Sequence, residues 1–512
     1  MESKASPLFE PVLWEETGFK ILDESLIPDR IEYVQVSELA QALEAVGGMR
    51  TRAFGQVLTF LYSGALVAQD YEGKEPEPLQ KRIEEMVRQF CEVRPTFDFR
   101  GLGRLLSKAF IELPSGTSPG AWIAIQARAF ARQIVNARQA RARRAAAVLP
   151  NVARVLTHCN VSGELVAIAR YCREMGKEIA VLATETRPYL QGTRLTSWEL
   201  SQAGVPVSLI PDCAVAQVMA KGEVDAVLVG SDRCAQNGDI INKVGTYPLA
   251  LMAKAYGVPF FALVQDPGPL MRAGDVTIEE RPAPELLTFQ GQPLISPGGD
   301  RLAGRYPAFD VTPAALITHL IGFDGLFTPE SFREKYLKRP LAAGKDVKAP
   351  TEKYLLLYGL PKRDSYSFLV HALKAEQADR ILIPEMRPAL WGARVVAPEL
   401  LRRHAPTTLI SDNMMGTLFA HRQIKQLYLF YSGLNEQGPS GICGSLLAVG
   451  LAHAHDVPVE LLESDTAKES PSDFDVSTFL GRNIIPAGVT VYPLDPETIP
   501  WRLLKGQQGP DS

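Results

Sequence analysis

No stretch of this chain reaches the roughly 18 consecutive apolar residues that a membrane-crossing helix needs. The opening residues, Met1-Glu-Ser-Lys-Ala-Ser-Pro-Leu-Phe-Glu10, lack the charged-then-apolar order of a secretion signal. These two absences exclude a membrane partner and lead us to expect a cytoplasmic protein. Cysteine is sparse: six residues in 512, with no Cys-x-x-Cys pair. That is too few for a disulfide framework and the wrong spacing for structural zinc, so no metal is expected. Net charge is also small, at −4, which argues against a nucleic-acid partner or an acidic tail. What remains is ordinary globular composition, 46% hydrophobic and 22% charged, with length for roughly three domains.

The chain contains one stretch twice. Glu185-Thr-Arg-Pro-Tyr-Leu-Gln-Gly-Thr-Arg194 overlies Glu385-Met-Arg-Pro-Ala-Leu-Trp-Gly-Ala-Arg394, and from 185 to 212 twelve of 28 positions are identical. Residues kept in both copies read as scaffold, and residues kept only in the first read as a candidate site. By this criterion Cys159 faces Gly359, Gln191 faces Trp391 and Asp232 faces Ser432, while Asn242-Lys243 faces Gly441-Ile442 after a one-residue deletion. Glu185, Arg187 and Arg194 recur as Glu385, Arg387 and Arg394 and are assigned to scaffold turns.

Residues 1 to about 120 carry mostly helical periodicity, and Ala121 to Val148, rich in Ala and Arg, suits one long helix. Its stripe of Arg128, Arg132, Arg138, Arg141 and Arg144 reads as a solvated face. From 151 the pattern changes to β-branched runs alternating with helical stretches: Val152 to Thr157, Glu178 to Ala183, Val205 to Ile210, Asp225 to Val229 and Val258 to Val264. Such alternation predicts a parallel sheet covered on both faces. Loops fill Asp266 to Tyr306, Thr312 to Phe323 is expected to close the unit as a helix, and Arg339 to Thr351 reads as a linker. The rhythm then restarts at Lys353 to Tyr358, Arg380 to Pro384, Thr407 to Ile410, Gln426 to Phe430 and Pro458 to Leu462, and ends in a disordered tail from Lys505 to Ser512. The fold expected is therefore α/β: an N-terminal helical domain (1–148) followed by two Rossmann-like doubly wound domains (149–335 and 345–512), the second a degenerate repeat.

In a doubly wound sheet, strands one and four lie side by side where the chain reverses, and ligands bind at the carboxyl ends there. Cys159 follows strand one and Asp232 follows strand four. A thiol just before a helix beginning near Glu164 is expected to have a lowered pKa. A carboxyl at a closed strand end can be held protonated by desolvation and act as an acid. Asp239, directly after Asn-Gly, reads as a turn residue. Asn242-Lys243 is placed at the start of the next helix, where N–H groups and an ammonium suit a phosphate ester. Arg52 and Arg94 could add charged grip from the helical domain.

Together these residues resemble the family that joins S-methyl-5-thioribose-1-phosphate isomerases, ribose-1,5-bisphosphate isomerases and the regulatory subunits of eukaryotic translation initiation factor 2B. The resemblance spans about residues 8 to 330. It rests on Pro11-Val-Leu-Trp14, Arg94-Pro-Thr96, Thr157-His-Cys-Asn160, Glu185-Thr-Arg-Pro with Leu190-Gln-Gly and Arg194-Leu-Thr, Ser231-Asp-Arg, Asn237-Gly-Asp, Asn242-Lys, Ile278-Glu-Glu-Arg281 and Pro307-Ala-Phe-Asp-Val-Thr-Pro313. It implies aldose–ketose isomerisation of a sugar 1-phosphate without a cofactor. Cys159 and Asp232 would be the catalytic pair, and Arg52, Arg94, Gln191, Asn242 and Lys243 would hold substrate. Arg52-Ala-Phe-Gly55 stands where the isomerases read Arg-Gly-Ala-Pro, so bulk is expected beside a substrate arginine. The substrate the resemblance puts first is S-methyl-5-thioribose 1-phosphate, of methionine salvage; the rival readings are a non-catalytic sugar-phosphate or nucleotide sensor and a ribose-1,5-bisphosphate isomerase. Because relatives pair through their α/β domains, the second copy is expected to form an internal pseudo-dimer with the first. A further homodimer through another face is left open.

Overall fold

The computed structural model describes residues 5–95, 97–296, 299–338, 350–465 and 475–504. Thr96, most of the expected linker (339–349) and the expected tail (505–512) lie outside the described residues. Among those described, no helix is long and apolar enough to cross a membrane.

The N-terminal region opens with strands rather than helices. β1 (Val12–Glu15), β2 (Gly18–Leu22) and β3 (Tyr33–Val36) form an antiparallel sheet. It buries Val12, Phe19, Ile21 and Val36 against the helices behind it. Strands of four or five residues are too short to stand out against the helical signal that follows. The helices Leu39–Gly47, Ala53–Gln69, Pro76–Val93 and Phe99–Ile111 then build their own core.

The helix Pro119–Val148 starts where the Ser118 side chain accepts the Ala121 N–H and Pro119 occupies the first turn. The expected solvated arginine face is corrected here. Arg138 and Arg141 are only 3% and 8% exposed. Both bind Glu164, and they donate to the carbonyls of Phe9, Val161, Ser162 and Val264. Alanines along the helix let the α/β unit approach closely enough for these guanidinium groups to be satisfied by protein instead of water. These two arginines latch the helical region to the loop after Cys159, whereas Arg132 stays exposed as expected and Arg144 bonds the carbonyls of Gly322 and Phe323.

β4 (Val152–Thr157), β5 (Glu178–Thr184), β6 (Val207–Ile210), β7 (Ala226–Val229) and β10 (Phe260–Leu263) form the parallel core of an eight-stranded sheet, with the chain reversing between β4 and β7. The closing helix expected at 312–323 is instead a short helical turn, Ala314–Leu316, and a strand, His319–Ile321, parallel to β10. A short apolar run looks the same in either state, and the open edge of β10 decides for strand. Between β7 and β10, the short strands β8 (Arg233–Cys234) and β9 (Ile240–Lys243) join Phe309–Thr312 in a separate antiparallel sheet.

A second parallel sheet runs in the order Leu302–Gly304, Thr407–Ile410, Arg380–Pro384, Tyr354–Tyr358, Ile424–Tyr431, Val459–Glu463. Each sheet borrows an edge strand from the other half of the chain. Leu302–Gly304 adds to the second sheet, and Thr490–Val491 adds to β6 of the first. One continuous apolar core fills both sheets, and the helices Val215–Ala220, Thr246–Ala255, Met415–Ala420 and Ser445–Ala454 pack together between them.

At the centre of this interface Arg187 forms two hydrogen bonds to Glu385, at 2.8 and 2.9 Å, and Arg387 pairs with Glu185 at 2.9 Å. Both guanidinium groups lie over the Phe479 ring, 4.4 and 4.9 Å from its centroid. The recurrent Glu and Arg therefore bridge the sheets, a role beyond the scaffold turns expected of them. Arg194 reaches back to the carbonyls of Ser25 and Ile27 in the N-terminal region. Buried pairs of this kind are weak net stabilisers, but losing one partner strands a charge and costs about 3–5 kcal/mol.

Candidate active site

The end of β4 is held from both sides. His158 is 2% exposed, with Nδ1 2.7 Å from Thr184 Oγ1 and Nε2 2.9 Å from the Val244 carbonyl. Burial pushes its pKa down to about 4, so the ring is neutral, and the carbonyl assigns the proton to Nε2. Cys159 follows at φ +66°, a left-handed conformation that a non-glycine residue adopts only at a cost. Its N–H donates to Thr186 Oγ1 at 2.9 Å and its carbonyl accepts from Thr196 Oγ1 at 2.6 Å. Thr186 is fixed in turn, because the Asp212 carboxylate accepts the N–H groups of Thr186 and Arg187, both at 2.7 Å. The counterpart Gly359 sits at φ +100°.

Asp232, just past β7, donates its N–H to the Ile241 carbonyl and accepts from Gln265 Nε2 through its own carbonyl. Asp232 is exposed rather than enclosed at the strand end, which corrects its expected setting. Asn242 and Lys243 end β9 rather than opening a helix, which corrects their expected setting. The helix begins only at Thr246, and its first N–H groups are already taken: Asp310 accepts those of Gly245 and Tyr247. A protein carboxylate fills the anion seat of that helix, so the positive charge at this strand end is the Lys243 ammonium. Lys243 is 7% exposed and lies 4.5 Å from the Phe309 ring centroid, while Asn242 Nδ2 donates to Thr246 Oγ1.

Electrostatics tie these groups into one cluster. Lys243 feels the charges of Cys159, Asp232, Arg52 and Glu279, and Cys159 feels those of Asp232 and Arg52. Arg94 feels Glu279, Arg281, Tyr189 and Asp232. The thiol does not have the lowered pKa expected from a nearby helix start. Burial pushes Cys159 up to about 11 against the opposing pull of Lys243, which leaves a neutral thiol at neutral pH. Desolvation lowers Lys243 and Arg94, while Asp232, crowded by the chain but exposed at the strand end, is shifted upward against the pull of those two cations. Asp239 has a structural role: it accepts from Asn237 and from the Ala314 N–H.

Two buried polar atoms at this cluster, Arg52 Nε and Arg94 Nε, have no hydrogen-bond partner among the described residues, and neither has Gln191 Oε1, which no contact ties to the cluster. Phe54 does not add its bulk to the cleft. It is buried, with its ring 3.9 Å from the Arg138 guanidinium, and so extends the latch. Several neighbours carried no expectation of their own. Glu24, buried beneath Arg52, accepts from Thr51 Oγ1 and the Arg52 N–H, and desolvation raises it to about 7. Tyr189 lies under Arg52, 5.6 Å from ring centroid to guanidinium, and donates to Glu285, which Arg281 also binds. The duplication held a signal for Tyr189, since Ala389 replaces it in the second stretch. Among the described residues no group of three or more His, Cys, Asp or Glu side chains could hold a metal ion.

These features define an α/β protein whose first parallel sheet brings a thiol, a carboxyl and a lysine ammonium together where the chain reverses. The chain belongs to the Initiation factor 2 subunit family, whose profile matches residues 56–329 and ends before the second sheet's own strands begin. It is similar to the methylthioribose-1-phosphate isomerase of Desulforudis audaxviator, at 37% identity over 353 residues, 66% of this chain and 99% of that protein. Among solved structures it is similar to 5-methylthioribose 1-phosphate isomerase from Pyrococcus horikoshii OT3, with a TM-score of 0.58, 31% identity and coverage of 66% of this chain and 99% of that one. It is also similar to the translation initiation factor eIF-2B, subunit delta, from A. fulgidus, with a TM-score of 0.56, 31% identity and coverage of 64% and 99%.

Proposed function

We propose that this protein is an aldose–ketose isomerase that converts S-methyl-5-thioribose 1-phosphate to S-methyl-5-thioribulose 1-phosphate in methionine salvage. The observation that carries the reading is that the pairing of β4 with β7 brings the strand ends before Cys159 and Asp232 together, with the Asp232 N–H bonded to the strand that ends in Lys243, and that Arg52 and Arg94 hold unpaired buried atoms. A sugar ring closed by a 1-phosphate ester cannot open by itself, so an acid must protonate the ring oxygen. Asp232, with its pKa raised, donates that proton as the C1–O bond breaks. Hydrogen then moves from C2 to C1, and the C2 hydroxyl returns a proton to the carboxylate as the ketone forms. Cys159 acts beside C1–C2 as a neutral thiol, polarising the centre or exchanging its proton. Lys243, Asn242, Arg52, Arg94 and Gln191 bind the phosphate and sugar hydroxyls.

The same reading divides the chain into a helical region (1–148), a catalytic α/β domain (149–335) and a degenerate α/β repeat (345–512), in a cytoplasmic protein. The repeat takes the place of a partner subunit as an internal pseudo-dimer, which the exchanged edge strands and crossed ion pairs support.

The test is proton NMR of the purified full chain with S-methyl-5-thioribose 1-phosphate in deuterated buffer. We expect conversion to the ketose, and deuterium at C1 separates proton exchange from direct hydride transfer. Faster turnover of ribose 1,5-bisphosphate would reassign the substrate. No turnover of any sugar 1-phosphate, with tight binding of one, would overturn the enzymatic reading in favour of a sensor.

A further inference from the structure

The turn that fixes Cys159 is held from the other half of the chain. Asn413 is 1% exposed, and its Nδ2 donates to the Arg187 carbonyl at 2.9 Å. Ser411 Oγ donates to Asn413 Oδ1 at 2.6 Å, which fixes the amide orientation. Glu385 grips the Arg187 guanidinium from the same side. From Arg187 the path to the thiol is short: Asp212 ties Arg187 to Thr186, and Thr186 Oγ1 accepts the Cys159 N–H. The same asparagine also presses on the exit of β9. A Cβ built at Gly245 would fall 2.8 Å from the His158 ring and 2.9 Å from Asn413 Cβ, so no side chain fits between them.

The reciprocal contact is weaker. Cys213 stands where symmetry requires the partner of Asn413, and it meets the Arg387 carbonyl only through its sulfur, at 3.5 Å. An amide N–H is a full donor and a thiol a poor one. The half with the thiol–carboxyl cluster thus receives the strong bond, and the half without it receives the weak one.

We propose that Asn413 is a positioning residue for the catalytic site of the other half, holding the Thr186–Arg187 turn so that Cys159 keeps its left-handed backbone at the switch point. This rests on the isomerase reading for its kinetic consequence, but not for its structural one.

The test uses the full chain and three variants, Asn413→Ala, Asn413→Cys and, as the symmetric control, Cys213→Ala, each checked for folding by circular dichroism. Turnover of S-methyl-5-thioribose 1-phosphate gives kcat and KM. The rate of Cys159 alkylation by iodoacetamide, read by peptide mass mapping, reports the loop directly. In Asn413→Ala we expect kcat about tenfold lower with KM changed less than about threefold, since a misplaced catalytic group mainly slows the chemical step. Cys159 alkylation should be faster by about threefold or more as the loop opens. Asn413→Cys, which copies the opposite contact, should show the same shifts and serves if the alanine variant does not fold. Cys213→Ala should change neither quantity. A folded Asn413 variant with the parent's kcat and alkylation rate overturns the proposal, as does an equal loss in Cys213→Ala. If the parent turns over no sugar phosphate, the isomerase reading fails and the alkylation rates alone decide this one.

Discussion

At the end of β4 the chain passes through Cys159 at φ +66°, and at the end of Tyr354–Tyr358 it passes through Gly359 at φ +100°. One residue earlier, His158 bonds the Val244 carbonyl, and Tyr358 OH bonds the matching Cys443 carbonyl. Asp212 accepts the N–H groups of Thr186 and Arg187, Asp412 accepts those of Met386 and Arg387, and Asp310 and Glu497 each cap a buried helix. The two α/β regions therefore share the joints that set backbone direction. They differ at the tips of the strands, where Gln191, Asp232 and Lys243 give way to Trp391, Ser432 and Ile442. Joints fail if changed because they are buried and hydrogen-bonded. At the tips the side chains change in kind, and Trp391, 7% exposed, puts buried hydrophobic surface where the first half has an amide.

The comparison breaks most sharply if second-half residues are moved into the first. Cys159→Gly and Asp232→Ser copy the second half and should each lower kcat about 10³-fold, within the usual range for a lost acid–base group. Thermal unfolding of Cys159→Gly should show stability equal to the parent's or up to about 1 kcal/mol greater, since glycine suits a left-handed position. Near-normal turnover in either variant would place the chemistry elsewhere.

The joints are tested next. Glu185→Gln and Glu385→Gln each strand a buried guanidinium and should cost about 3–5 kcal/mol in urea unfolding, by similar amounts if the two pairs are equivalent. A loss below about 1 kcal/mol would mean that water or another group replaces the carboxylate.

His158 offers a smaller effect with a defined pH window. Its folded pKa of about 4 lies below the unfolded 6.5, so between those values the unfolded chain takes up a proton that the folded chain refuses. Stability is full above pH 6.5 and falls as pH drops toward 4, by about 3 kcal/mol at most from this group. His158→Tyr, which copies Tyr358, should remove that part of the decline when urea midpoints are compared at pH 4.5 and 7.5. An unchanged slope would assign the acid sensitivity to other groups.

The smallest change restores a thiol to the second half. A Cβ at Gly359 would stand 2.6 Å from the Phe430 carbonyl oxygen, so Gly359→Cys should cost about 1–3 kcal/mol without adding activity. A variant as stable as the parent would show that this turn can still accept the cysteine.

Much of this was legible in residue order alone. The ten apolar runs correspond to strands because parallel strands buried on both faces must be continuously apolar. Cys159 and Asp232 could be brought together because strand order fixes which carboxyl ends adjoin. The less legible features depended on what lay across from them. His319–Ile321 is a strand because β10 had an open edge. Arg138 and Arg141 are buried because Glu164 and four carbonyls face them, and periodicity has no term for that.

The sequence by itself determined that this protein carries two related α/β rhythms and that only one retains a thiol, an acid and a lysine in register. Local pattern and identity suffice for that, since both are properties of neighbours along the chain. Only the tertiary structure decided that the thiol is neutral, that Lys243 stands on a strand, and that Arg187 and Glu385 meet across the interface. Charge state and pairing depend on desolvation and on groups roughly 200 residues apart, which become neighbours only when the chain is folded.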